Sequence, residues 1–96
     1  MTAYVIADIT VTNPDGYAPY RAIAAKTVAD YGGRFIARGG TVESREGDWN
    51  PGRIVIIEFP SVEAARRWWD SPEYQKPKAL RRANSKGRLL LLEGLA

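Results

Sequence analysis

The sequence predicts an α+β domain: a four-stranded antiparallel sheet with its helices on one face, in the ferredoxin-like order βαββαβ. Three observations carry this expectation. Four apolar runs, at 3–11, 34–43, 53–60 and 88–93, have strand length and strand residue types. Two stretches with helical spacing separate them, one after the first run and one after the third. Ninety-six residues leave room for one core, so residues 1–96 are read as a single domain.

The elements follow in order. In "AYVIADITV" Ala3, Val5, Ala7, Ile9 and Val11 share one face, and Tyr4, Ile6, Asp8 and Thr10 the other. Both faces carry apolar residues, so both are expected to be covered. "NPDG" starts a helix, with Asn13 as cap, Pro14 in the first turn and Asp15 at the positive end of the dipole. Tyr17, Tyr20, Ala24, Thr27, Val28 and Tyr31 line one side of it, and Gly32-Gly33 ends it. "RFIARGGTVE" is the second strand, "SREGDWNPG" the loop and "RIVIIEFP" the third strand. Ser61 caps a helix carrying Ala64, Ala65, Trp68 and Trp69. Ser71-Pro72 starts another helical piece, which Pro77 is expected to break or restart. "GRLLLLEG" supplies the fourth strand.

Helices on one face leave the other sheet face open, yet the strands offer Ile, Val and Leu there too. Burying a few hundred Å² of apolar surface at ~25 cal/mol per Å² favours association by several kcal/mol. A homodimer with its two sheets face to face is therefore expected.

Composition narrows the chemistry. The chain has no cysteine and no histidine. Thiolate nucleophiles, disulfides, the usual zinc and haem ligands and the commonest general base are thereby excluded. No cofactor or metal is expected. Net charge is +3, with five basic and six acidic residues in 1–48 against nine and five in 49–96. Six of the basic residues fall in 76–88, a run that opens on Lys76, closes on Arg88 and holds no acid. It is read as a solvated helix face and loop, with an anion or nucleic-acid site as the sharper alternative. "MTAYVIADIT" has no basic start and contains Asp8, so it is not read as a signal peptide, and no run reaches membrane-spanning length. A cytoplasmic protein is the expectation.

Candidate site residues are the polar groups that interrupt apolar strands. With a hairpin centred near Asp48, Arg38 lies roughly opposite Glu58, either an arginine–carboxylate pair whose members need each other or a ligand in a cavity, or a strand-end charge pair that reaches solvent. A slip of one residue, or a bulge at the glycines, moves Arg38 to the other face. Trp49 is read as a lid, a dimer contact or a plug at the hairpin end. Tyr74 offers a hydroxyl to a cavity or simply packs. Arg81 suits a carboxylate or phosphate, while Arg82 is expected to face solvent.

The stretch "ARGGTVESREGDWNPGRIVIIEFPSVEAARRWWDSPEYQ" closely resembles the signature of the DUF1330 family, small bacterial proteins of unknown function. Its most specific pieces are Arg38-Gly39-Gly40, the loop with Glu46, Trp49 and Arg53, "IEFPS" and "WWDSPEY". The resemblance implies the dimeric α/β-barrel superfamily, with muconolactone isomerase-like, cofactor-independent monooxygenase and haem-binding relatives. The lack of histidine fits the haem branch poorly, and the family supplies no catalytic residue.

The leading expectation is a homodimer that binds a small aromatic or carboxylate-bearing metabolite through Arg38, Trp49, Arg53, Glu58, Tyr74 and Arg81. In a metal-independent isomerase- or monooxygenase-like version, Glu58 is the general base and Arg38 steadies an anion. The alternatives are a non-catalytic binding or regulatory module and, less favoured, anion or nucleic-acid binding through the 76–88 run.

Overall fold

A computed structural model describes residues 1–95. Its elements are β1 (Ala3–Val11), α1 (Pro14–Asp30), β2 (Arg34–Arg38), β3 (Arg53–Phe59), α2 (Val62–Asp70), α3 (Pro72–Asn84) and β4 (Ser85–Glu93). The strands form one antiparallel sheet in the order β2-β3-β1-β4. The α+β architecture is as the sequence predicts, with three helices in place of two and a fragment.

Local chemistry sets the boundaries. The Asn13 side chain accepts the Gly16 N–H, and Pro14 opens α1, where its missing donor costs nothing. Gly32 turns the chain out of the helix at φ +82°, and Gly33 donates back to Val28 O at 2.9 Å. Ser61 and Ser71 cap α2 and α3 through their side chains. Pro77 does not break α3, contrary to the sequence expectation. Its ring is buried, and apolar burial offsets the lost backbone bond.

The helix-covered face holds the core. Ala3, Val5, Ala7 and Ile9 of β1 and Val55, Ile57 and Phe59 of β3 are buried there against Val28, Trp68 and Tyr74. Trp68 is sealed, and Trp69 turns to the following helix, as adjacent helix positions require. The opposite face carries Tyr4, Ile6, Ile54, Ile56, Leu90 and Leu92, of which Leu90 and Leu92 are at least half exposed.

Two strand expectations are corrected. β2 stops at Arg38 instead of reaching 43, because Gly39 takes φ +72° and the chain leaves the ladder after one bond to Ile54 O. β4 begins at Ser85 rather than 88, since β1 pairs with it to its last residue. Between Phe35 and Ala37 the β2–β3 register slips, so Ile36 has no partner. Among the described residues, no helix is long and apolar enough to cross a membrane.

Candidate functional site

The bulge at Ile36 decides on which face Arg38 lies. Before it, Arg34 stands opposite Glu58 and Phe35 opposite Ile57; after it, Arg38 stands opposite Val55. Arg38 therefore joins Phe35 on the helix-covered face. The expected Arg38–Glu58 pair does not form. Arg34 takes the carboxylate instead, with Nε 2.9 Å from Glu58 Oε1 on the open face.

Under the helices lies a cavity of about 40 Å³. Tyr17, Tyr20 and Arg21 reach it from α1, Tyr74 and Arg81 from α3, Trp68 from α2, and Phe35, Arg38, Arg53, Ala7 and Ile9 from the sheet. Four arginines and three tyrosines line it, and none of its lining residues is acidic. Its deep wall is built from the two tyrosines whose hydroxyls are 2.7 Å apart, Tyr20 and Tyr74. Tyr74 is sealed, stacked at 4.2 Å between ring centroids on Trp68, whose indole N–H donates to Thr27 Oγ1. Burial, with the Tyr74 hydroxyl beside it, pushes the Tyr20 phenol above the ordinary tyrosine range, so it stays protonated.

Arg81 completes this wall. It is 6% exposed, and its Nε–H has no hydrogen-bond partner. Burial opposes its charge, but interaction with Tyr74, then with Tyr20 and Tyr17, outweighs burial and its pKa lies above the ordinary arginine value. Within the tyrosine pair one hydroxyl donates to the other, which leaves one O–H spare. A spare phenol and a spare guanidinium N–H thus border one small cavity. Donors dominate it, and an unmet buried donor costs about 1–3 kcal/mol.

The rim is cationic and looser. Arg38 lies 4.2 Å over the Phe35 ring and donates to Arg21 O at 3.3 Å, with its side chain exposed. Arg53 lies flat against Gly39, where a Cβ would come within 2.9 Å of its guanidinium carbon.

Of the six sequence candidates, the structure brings Arg38, Arg53, Tyr74 and Arg81 to this cavity. Trp49 and Glu58 lie elsewhere. Trp49 is 58% exposed and, with Glu43, Arg45 and Glu46, walls a groove of about 590 Å³ between the 39–52 loop and the open face. That groove is larger, but its charges are mixed and its floor is the apolar Ile6, Ile54, Ile56 and Leu90. There Asp8 already accepts the Gly52 N–H at 2.8 Å. Sequence reasoning treated Tyr17 and Tyr20 as mere helix packing. The available signal was two hydroxyls three residues apart at the start of that stripe.

A family model described as a domain of unknown function, DUF1330, matches residues 2–95. No curated protein matches the chain. Among solved structures, a protein of unknown function from Rhodopseudomonas palustris superposes with a TM-score of 0.77 at 19% identity, over 99% of this chain and 83% of that one. SnoaB, a cofactor-independent oxygenase from Streptomyces nogalater, gives 0.70 at 21% identity, over 99% and 94%. An antibiotic biosynthesis monooxygenase gives 0.55 at 17% identity, over the full length of both. At these identities the likeness is one of fold.

Proposed function

The chain belongs to the DUF1330 family, and from that premise we propose that it binds a small carboxylate-bearing or enolic metabolite, as an anion, beneath the helices of a homodimer. The observation that carries this is the buried, unpartnered Arg81 Nε beside the Tyr20–Tyr74 pair in a cavity with no acidic lining residue. An oxyanion supplies the acceptors that these donors lack. The cavity as it stands has room for little more than one such group. A larger, aromatic body enters by displacing Arg38, which only a ring contact and one long hydrogen bond hold in place.

The enzymatic form of this proposal is electrostatic. Glu58 cannot serve as the base of this pocket, because it lies on the other face against Arg34. Tyr20 is held protonated. The pocket's contribution is to stabilise a substrate anion, such as an enolate or phenolate, in metal-independent isomerase- or monooxygenase-like chemistry that the substrate itself drives. The fold likeness to SnoaB and to the antibiotic biosynthesis monooxygenase supports this form by analogy alone. The same donors serve a non-catalytic binding module equally well, and absence of turnover of bound ligand would favour that reading. The homodimer rests on the open face, where Leu90 and Leu92 are 56% and 50% exposed. A cytoplasmic location belongs to this proposal on sequence grounds.

Calorimetric titration with benzoate tests the pocket, with neutral benzamide as control. Benzoate is expected to bind, benzamide to bind at least about tenfold more weakly, and Arg81→Gln to remove the difference. Equal affinity for the two probes, or no binding of either, would overturn the proposal.

A further inference from the structure

The basic run 76–88 is not one surface. Beyond the exposed Lys76, Lys78 and Arg81 are buried, and Arg82, Lys86 and Arg88 remain exposed. The exposed three, with Arg81 and Trp69, line a cleft of about 480 Å³ at the corner where α3 passes into β4. Its lining residues include four cations and no carboxylate. Among the described residues, the ion pairs closer than 4 Å involve Lys26, Arg34 and Arg45, and none involves the cations of this cleft. Lys78 adds to the field from behind, with Nζ 4.2 Å from the Trp69 ring centroid and bonded to Trp69 O. Burial, and then the charge of Arg82, depress its pKa. Arg82 approaches the same ring, at 5.8 Å.

Asp8 stands opposite Arg88 on β1, but it accepts the Gly52 N–H and makes no ion pair within 4 Å among the described residues; like charges gathered in this way repel one another, and an anion that bridges them relieves the repulsion. Arg81 gives this cleft a second property. It lines both the cleft and the inner cavity, as does Leu89, and its Nε is nine-tenths buried without a partner. One residue, Arg81, thus borders both spaces.

We propose that the α3–β4 cleft is a second anion site, for a phosphate-type dianion held by Arg82, Lys86 and Arg88, and that it acts on the inner pocket through Arg81. Several cations from a helix and a strand, around a space of this size, match a compact group of high charge better than a single carboxylate. Drawn toward a dianion outside, the Arg81 guanidinium serves the inner oxyanion less well. Occupancy of the cleft therefore weakens ligand binding inside, and the reverse holds by linkage. The coupling rests on the proposed function of the inner pocket; the cleft as a site does not.

The test is calorimetry at low salt with inorganic phosphate and methyl phosphate, alone and then with benzoate. Phosphate is expected to bind the full chain once. Replacing Arg82 and Lys86 together by Gln should weaken it roughly tenfold or more. Benzoate affinity should fall about fivefold or more under saturating phosphate in the parent protein, and stay constant in the double variant. Preference for methyl phosphate would identify a phosphorylated metabolite as occupant; equal or better binding of inorganic phosphate would identify the free ion. Phosphate that binds parent and double variant alike overturns the cleft, as does binding of an oligonucleotide with no binding of either phosphate. Phosphate binding that leaves benzoate affinity untouched overturns the coupling. Phosphate binding lost in the double variant, in a protein that never binds benzoate, sinks the inner-pocket function and leaves the cleft standing.

Discussion

The hydroxyls of Tyr20 and Tyr74 stand 2.7 Å apart, although 54 positions separate them in the chain. This contact joins α1 to α3 inside the cavity, beside a buried guanidinium. Tyr74→Phe is expected to leave the Tyr20 hydroxyl without its partner and to cost about 1–2 kcal/mol. Replacing both tyrosines by Phe should cost less than the two single changes summed, because no orphaned hydroxyl remains. Urea unfolding of the three variants measures this, and simple additivity would count against a shared hydrogen bond.

The raised pKa of Tyr20 fixes a pH dependence. The unfolded chain ionises this phenol near the ordinary tyrosine value of about 10, and the folded chain does so only above that. Above pH ~10 the unfolded state therefore binds fewer protons, and stability falls as pH rises. Below that value the contribution is fully present and flat. Melting temperature followed from neutral to strongly alkaline pH should show this fall, shallower in Tyr20→Phe.

Glu58 is a surface partner of Arg34, whose side chain is 73% exposed. Glu58→Gln should leave benzoate affinity within about twofold and cost under about 1 kcal/mol, as exposed pairs do. A large loss of affinity would return Glu58 to the pocket and contradict the observed register.

Gly39 combines φ +72° with contact against the Arg53 side chain. Gly39→Ala meets both a strained backbone and a clash at 2.9 Å, for about 1–2 kcal/mol of destabilisation. It should also displace Arg53 from the rim and weaken benzoate several-fold. Denaturation and titration on one sample separate the two effects.

Leu90 pairs with Ile6 on the open face and is 56% exposed. If two sheets meet there, Leu90→Glu buries an unpaired charge in each half of the interface and should shift the protein to monomer. Light scattering on parent and variant decides this. A monomeric parent refutes the dimer outright.

Much of the fold was legible because alternation and capping are local. Asn13, Ser61 and Ser71 were readable as caps, and the Tyr17–Tyr31 stripe as a buried face. Pro77 was misread because it is buried in the folded chain, which no local rule sees. The site was half legible. Arg38, Arg53, Tyr74 and Arg81 were chosen as isolated polar groups, and only the folded chain shows them lining one space. Glu58 was chosen as a polar group in an apolar strand and paired with Arg38 on a hairpin centred near Asp48, with a slip or bulge as the alternative. The pairing of Arg34 with Glu58 is set before the bulge, and the unpaired Ile36 only turns Arg38 from the open face to the helix-covered one.

By itself the sequence determined the periodicities, and with them an antiparallel sheet that is apolar on both faces and a helix layer for one of them. The absence of histidine and cysteine determined which chemistries are closed to this chain. What only the tertiary structure decided is which charges remain unanswered. Ion pairing depends on strand register and helix rotation, and a slip of one residue reverses the face of every side chain beyond it. That slip sends Arg38 to the helix-covered face, where it lines a buried space with no acidic lining residue, while Glu58 stays on the open face against Arg34.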